Sequence, residues 1–174
     1  MGRRRRQRSL EARRQERGEI TDPTLVLEAA LRFLEARQRS AAEVRRRLMF
    51  HGYRADLVDD AIERLSELGM IDDAAFARAW VESRDRARPR GERALRQELW
   101  RKGIDRAIAD DAMEERAADR PNADEEAAHR LLERHADALA RVADPRARRQ
   151  RAYALLARNG FDPELATALT RSPQ

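Results

Sequence analysis

The sequence predicts an all-α protein built as three tandem three-helix repeats behind a disordered basic N-terminal tail. A gapless internal repeat, helix-start signals ahead of each copy and the concentration of charge at one end carry that prediction. The stretches "VRRRLMFHGYRADLVDDAI" (44–62), "LRQELWRKGIDRAIADDAM" (95–113) and "AYALLARNGFDPELATALT" (152–170) superimpose without insertion. Gly52, Gly103 and Gly160 coincide, as do Leu48, Leu99 and Leu156, then Tyr53, Ile104 and Phe161, then Leu57, Ile108 and Leu165. The glycines lie 51 and 57 residues apart, within or just above the range of helical repeats. A unit of that size buries too little surface alone, so neighbours stack.

Residues 1–19 form the tail. They are polar, hold Arg3, Arg4, Arg5 and Arg6 in a row, and have almost nothing to bury, which predicts disorder. The first repeat spans 20–71. Asp22 caps a helix with Pro23 in its first turn and Leu27, Leu31 and Leu34 on one face. Ser40 with Glu43 is a capping box, so a second helix begins near Ala41 and carries Ala41, Val44 and Leu48 as its apolar stripe. Gly52 supplies the left-handed residue that ends it, and Tyr53 folds back on the last turn. A third helix follows over 56–67.

The second repeat spans 72–120. Asp72 or Asp73 caps a helix bearing Phe76, Ala77, Trp80 and Val81, ahead of the aligned pair. The third spans 121–171, where Asn122 with Glu125 resembles a capping box before Ala128, Leu131 and Leu132. Asp144–Pro145 and Asp162–Pro163 mark its two later helix starts.

Composition restricts function. Charged residues make up 40% of the 174, so much of the chain faces water. With no cysteine, disulfides, thiolate metal sites and cysteine nucleophiles are excluded. No apolar run approaches the roughly 20 residues of a membrane span, and no apolar segment follows the arginines to make a signal peptide; a cytoplasmic protein is expected. Asp72–Asp73 suits helix capping better than a metal, and His129 and His135 are six apart, unlike the i, i+4 pair of a zinc helix. His51 reads as a polar residue in a last turn. No glycine-rich phosphate loop occurs. Neither an enzyme nor a cofactor or metal is expected.

The net charge of +5 belongs to the tail, where eight arginines face three glutamates, while the remainder balances at 29 basic and 29 acidic residues. All but Lys102 of the 37 basic residues are arginine, an excess that a GC-rich genome also produces. Position is therefore the informative feature. Residues 37–54 hold six arginines against Glu43, whereas 56–67 hold five acids against Arg64. Arginines also surround the second repeat's middle helix, and acids sit on its third helix. Stacked middle helices would form a cationic stripe suited to a polyanion or a long acidic groove, of Arg37, Arg39, Arg45, Arg46, Arg47 and Arg54; Arg88, Arg90, Arg93, Arg96, Arg101 and Lys102; and Arg149, Arg151 and Arg158. The competing arrangement pairs each arginine with an acid on a neighbouring helix. Phe76, Trp80, Tyr53 and Phe161 are expected in the core, leaving Trp100, Phe50 and Tyr153 as exposed aromatics on which bases could stack.

"LSELGMIDDAAFARAWVESR" (65–84) followed by "RGERALRQELWRKGI" (90–104) resembles the signature of the RecX family, bacterial regulators of the RecA recombinase, and "ALRFLEARQRSAAEVRRRLMFHGY" resembles that family's first repeat. The resemblance covers about 24–118 specifically and the third repeat more loosely. It implies an elongated, curved array that lodges in the groove of the RecA filament on DNA and inhibits strand exchange, ATP hydrolysis and co-protease activity. The partners expected are the RecA filament and single- and double-stranded DNA, bound nonspecifically and salt-sensitively by a monomer. The alternative is a nonspecific DNA- or RNA-binding helical protein. The third repeat departs from the pattern, with Tyr153, Ala154 and Leu155 where the first has its arginine triplet.

Overall fold

Aspartate and serine caps set most helix starts. In the computed structural model, which describes residues 2–171 with side chains from Leu10 onward, Asp22 accepts the Thr24 N–H at 2.9 Å and opens α2 (Pro23–Leu34). Ser40 accepts the Glu43 N–H at 3.1 Å and opens α3 (Ala41–Phe50), followed by α4 (Ala55–Glu67). Asp72 accepts the Ala75 N–H at 2.8 Å and starts α5 (Asp73–Ala87). Asp73 turns away and caps α3 instead, accepting the Ala41 N–H at 2.9 Å. Burial pushes the Asp73 carboxyl up, with that bond opposing it.

The second aligned pair is α6 (Glu92–Lys102) and α7 (Arg106–Asp119), the third α10 (Pro145–Arg158) and α11 (Pro163–Arg171). Between them lie α8 (Ala123–Arg134) and a short helix, α9 (Ala136–Ala140), that the sequence pattern did not announce. No strand occurs among the described residues. Asn122 makes no capping bond, so the expected capping box at the start of α8 does not form.

Met1–Phe76 and Ala77–Gln174 are two compact units. In the first, Val26 and Ala30 of α2, Val44 and Leu48 of α3, and Val58, Ala61, Ile62 and Leu65 of α4 form one core. In the second, Leu95, Leu99, Ile104 and Met113 are buried in the middle repeat, and Ala127, Ala128, Leu131, Leu132, Leu156 and Phe161 form the core of the last. Each faces inward at the spacing of an amphipathic helix.

Within the tail the described backbone forms a helix, α1 (Gly2–Gly18), with side chains described from Leu10 onward. Arg, Gln, Glu, Ala and Leu are all strong helix formers, and no glycine or proline interrupts positions 3–17. The end of α1 also has a seat. The Arg14 guanidinium lies 5.9 Å from the Phe50 ring centroid, that of Arg17 lies 5.5 Å from the Tyr53 ring, and Arg17 Nη1 donates to His51 Nδ1 at 3.0 Å. Gly52 lies so close beneath that a Cβ there would overlap the Arg14 backbone.

Two predictions follow from these contacts. Gly69 and Gly160 both have positive φ, 68° and 82°, but a Cβ on Gly69 meets open space, whereas one on Gly160 would overlap Ala94. Gly69→Ala should cost about 1 kcal/mol from backbone conformation alone and Gly160→Ala clearly more, read as the difference in urea midpoints. His51 is held below its usual 6.5 by burial first and then by Arg47 and Arg17, so the folded state prefers neutral imidazole. Its contribution is complete above pH 6.5 and is lost as pH falls through the depressed value. The wild type should therefore lose stability relative to His51→Ala between pH 7 and 5, seen as a narrowing gap in thermal midpoints.

Candidate functional site

Each middle helix carries its arginines into one of two environments. In the first repeat Arg45 pairs with Asp59 on α4, and Arg37 pairs with Glu43 at 3.3 Å. Arg39 is half-buried with its guanidinium 4.3 Å from the Phe33 ring centroid; Arg47 approaches the same ring at 5.4 Å. Burial, then the neighbouring Arg37 charge, lowers the Arg39 pKa. Arg46 is exposed. Arg54 donates to both Asp56 oxygens, at 3.2 and 2.5 Å, and this bond holds the Asp56 carboxyl below its ordinary value.

The second repeat repeats the main pair: Arg96 Nε donates to Asp110 at 2.8 Å across α6 and α7, as Arg45 meets Asp59 across α3 and α4. Arg96 also reaches Glu92. Arg90 meets Glu98 at 3.5 Å and the Asn159 side-chain oxygen. Glu98, which the sequence reading did not single out, gathers three donors, since it also accepts Trp80 Nε1 at 3.0 Å and Arg84 Nε at 2.5 Å. Arg84 and Lys102 lie 4.1 and 4.6 Å from the Trp80 ring centroid. Trp80, expected in the core, is half-buried in this cationic setting.

Arg88, Arg93 and Arg101 are exposed without an ion pair among the described residues, and so are Arg149, Arg151 and Arg158 in the last repeat. The predicted stripe thus divides. Arg37, Arg45, Arg54, Arg90 and Arg96 answer acids, as the pairing alternative expected, because the following helix places its carboxylates within reach. Arg3, Arg4, Arg5 and Arg6 belong to α1, and their side chains lie outside the described residues.

What projects outward from α6 is aromatic as well as cationic. Trp100 is 73% exposed, between Arg93 and Arg101 in sequence, and borders a groove of about 750 Å³ with Gln97, Ile104, Arg106 and Asp110. On α3, Met49 and Phe50 are 41% and 55% exposed next to Arg46. Trp100, Phe50 and Tyr153 are the aromatics expected at the surface, and all three are exposed. Aromatic, methionine and arginine side chains are the ones enriched where proteins dock. The described residues contain no group of three or more His, Cys, Asp or Glu able to hold a metal, and no helix long and apolar enough to cross a membrane.

A buried charge cluster lies within the second unit. Asp85 of α5, 5% exposed, accepts Arg116 Nη2 and Nε of α7, both at 2.9 Å. Arg116 Nη1 donates to Asp124 of α8 at 2.7 Å, and Arg120 reaches Asp85 at 3.4 Å. Asp124 also accepts the Glu92 N–H at 3.3 Å, at the start of α6. Burial alone would lower the Arg116 pKa, but bonds and charges from the two aspartates outweigh it and raise it. Burial pushes the Asp124 carboxyl up. The cluster joins the second repeat to the third inside one unit.

Models of the first, second and third three-helix domains of RecX match residues 27–65, 72–113 and 123–169. The chain is 33% identical over 142 residues to a regulatory protein RecX of Chlorobium phaeobacteroides, covering 82% of this chain and 89% of that one. It is 35% identical over 139 residues to a regulatory protein RecX of Mycolicibacterium vanbaalenii, covering 78% and 75%. A crystal structure of a regulatory protein RecX superimposes with a TM-score of 0.75 at 21% identity, covering 86% of this chain and 72% of that one. RecX from Lactobacillus salivarius superimposes at 0.70 and 22%, covering 86% and 94%. At those identities the structures establish a shared fold.

Arg116→Ala should destabilise the second unit by about 3–5 kcal/mol, because it leaves Asp85 charged, buried and without its main partner. Adding Asp85→Ala should recover part of the loss, a coupling measurable as a double-mutant cycle in urea.

Proposed function

Because the chain belongs to the RecX family of regulatory proteins, we propose that it regulates the RecA recombinase, mainly as an inhibitor, by lodging in the groove of the RecA–DNA filament. There it suppresses strand exchange, ATP hydrolysis and co-protease activity, acting as a cytoplasmic monomer without catalysis of its own. The observation that carries this reading is the outward surface of α6, which exposes Trp100 together with Arg93 and Arg101. An exposed aromatic on a helix that also exposes guanidinium groups suits a protein surface that bears acids around an apolar pocket. It also suits the filament's DNA, whose phosphates take the arginines.

The second reading is a nonspecific binder of DNA or RNA that needs no recombinase. The exposed arginines Arg149, Arg151 and Arg158, which meet no acid among the described residues, favour it, because they suit backbone phosphate.

The deciding measurement is DNA-dependent ATP hydrolysis by a preassembled RecA filament, set beside this protein's affinity for the same bare DNA. Inhibition at concentrations too low to coat bare DNA supports the filament as target; inhibition only at saturation supports lattice competition. Trp100→Ala should raise the inhibitory concentration at least tenfold with helix content unchanged, a hot-spot-sized loss. An unchanged inhibition curve would remove α6 from the docking face.

A further inference from the structure

We propose that the turn ending the middle helix of the first and of the last repeat is a docking surface for an arginine–glycine segment, and that Arg17–Gly18 of α1 fills it on the first repeat as a cap that acid releases.

The two docked segments match. Arginine is followed by glycine twice in the chain, at Arg17–Gly18 and at Arg90–Gly91, and glutamate comes next both times. In the second unit Arg90 Nη1 donates to the Asn159 side-chain oxygen, and the Gly91 N–H donates to the Asn159 carbonyl at 3.0 Å. A Cβ on Gly91 would overlap the Gly160 backbone. In the first unit Arg17 Nη1 donates to His51 Nδ1 at 3.0 Å. A Cβ on Gly18 would stand 3.6 Å from the Gly52 carbonyl oxygen, and one on Gly52 would overlap the Arg14 backbone. Asn159 and His51 each precede the left-handed glycine, so both turns offer a side-chain acceptor for the guanidinium with bare backbone beside it. Lys102, in that place on the middle repeat, can only donate. Gly91 lies just before the first turn of α6 and Gly18 ends α1, so the match is in the residue pair and its acceptor, not in helix direction.

The seat also accounts for the arm's attachment. Leu10, its one large apolar side chain, is exposed, and a 17-residue helix of this composition is marginal by itself. The contacts of Arg14 and Arg17 at the Gly52 turn are therefore what hold it.

The two acceptors differ in one respect that matters. The Asn159 amide does not titrate, whereas His51 Nδ1 accepts only while the imidazole is neutral. Protonation turns that acceptor into a donor and adds a positive charge beside Arg17 of α1 and Arg47 of α3, the two charged groups that act on the ring. Arg14 of α1 lies over Phe50, whose ring meets the His51 ring edge-on, and Arg54 is matched by Asp56 of α4. No carboxylate bonds the His51 ring among the described residues. Burial, then Arg47 and Arg17, already hold its pKa below the usual 6.5. Release of the arm lifts part of that depression and so takes up a proton. The seat is at full strength above pH 6.5 and weakens as pH falls through the depressed value. Release frees the Phe50 and Tyr53 rings of their guanidinium partners.

Amide hydrogen exchange on the full chain at pH 7 and pH 5, corrected for intrinsic exchange, tests this in the wild type, His51→Asn and Gly52→Ala. In the wild type the amides of residues 14–18 should be protected at pH 7 and lose protection severalfold at pH 5, while the Gly91 amide, bonded to Asn159, keeps its own. His51→Asn copies the other turn's acceptor and should keep the arm seated at both pH values. Gly52→Ala should strip protection from the arm at both, whereas Gly69→Ala, with a positive φ but open space around it, should not. Should Gly52→Ala fail to fold, the wild type and His51→Asn still decide. Arm amides unprotected at pH 7, protection that does not change with pH, or an equal fall in His51→Asn each overturn the proposal. No recombinase enters the measurement, so failure of the regulatory reading leaves it unaffected.

Discussion

Each repeat depends on how its middle helix stops. At Gly52, Gly103 and Gly160 the backbone enters the left-handed region, with φ of 95°, 81° and 82°. The next residue then sends its N–H back to the carbonyl five residues earlier: Tyr53 to Leu48 at 3.3 Å, Ile104 to Leu99 at 3.1 Å, Phe161 to Leu156 at 3.3 Å. This reversal is the six-to-one bond of a Schellman ending. It carries an apolar residue back toward the helix that the chain has just left and aims the following helix across it. A side chain at the glycine would strain the turn, and at Gly52 and Gly160 it would also collide with a neighbouring backbone. Helix termination and docking of the preceding element are therefore one constraint.

Around that frame the arginines serve two purposes. The pairs Arg45–Asp59 and Arg96–Asp110 occupy equivalent places, and the third repeat puts Tyr153 and Thr167 there. Solvated pairs of this kind contribute about 0–1 kcal/mol, so they orient helices more than they hold them together. The Asp85–Arg116–Asp124 cluster differs because it is buried, and loss of one member leaves a charge with nowhere to go. Arg93 and Arg101, on the same helix as exposed Trp100, meet no acid among the described residues.

The repeats were legible in the sequence because their signals are local. Ser40 with Glu43, Asp22 with Pro23, and Asp162 with Pro163 each act within one turn, and the recurring glycines fix the register. The misses are long-range or compensatory. Asn122 and Asp124 both suit a helix start, but Asp124 is drawn to Arg116 and to the α6 N-terminus, a choice that only the packed structure determines. The helix α1 was not announced because high charge and few apolar residues argue against order, while helix propensity and a seat of its last turns at Gly52 argue for helix. Which arginines are paired was equally hidden, since acids on the next helix could lie within reach of several of them.

Arg54 shows how a local rule yields to a wider demand. At the equivalent position Asp105 caps α7 by accepting the Ala107 N–H at 2.8 Å, and Asp162 caps α11 by accepting the Glu164 N–H at 2.7 Å. The first repeat places Arg54 there, with no side-chain capping bond for α4. A lost cap costs about 1 kcal/mol, and a cation at a helix start also opposes the dipole. Asp56, bonded to Arg54 in the first turn, offsets part of that electrostatic cost. The exchange reverses the charge directly after the Gly52 turn, beside the residues on which α1 is seated. The stability given up at α4 thus coincides with positive charge gathered at the Gly52 turn by Arg17, Arg47 and Arg54.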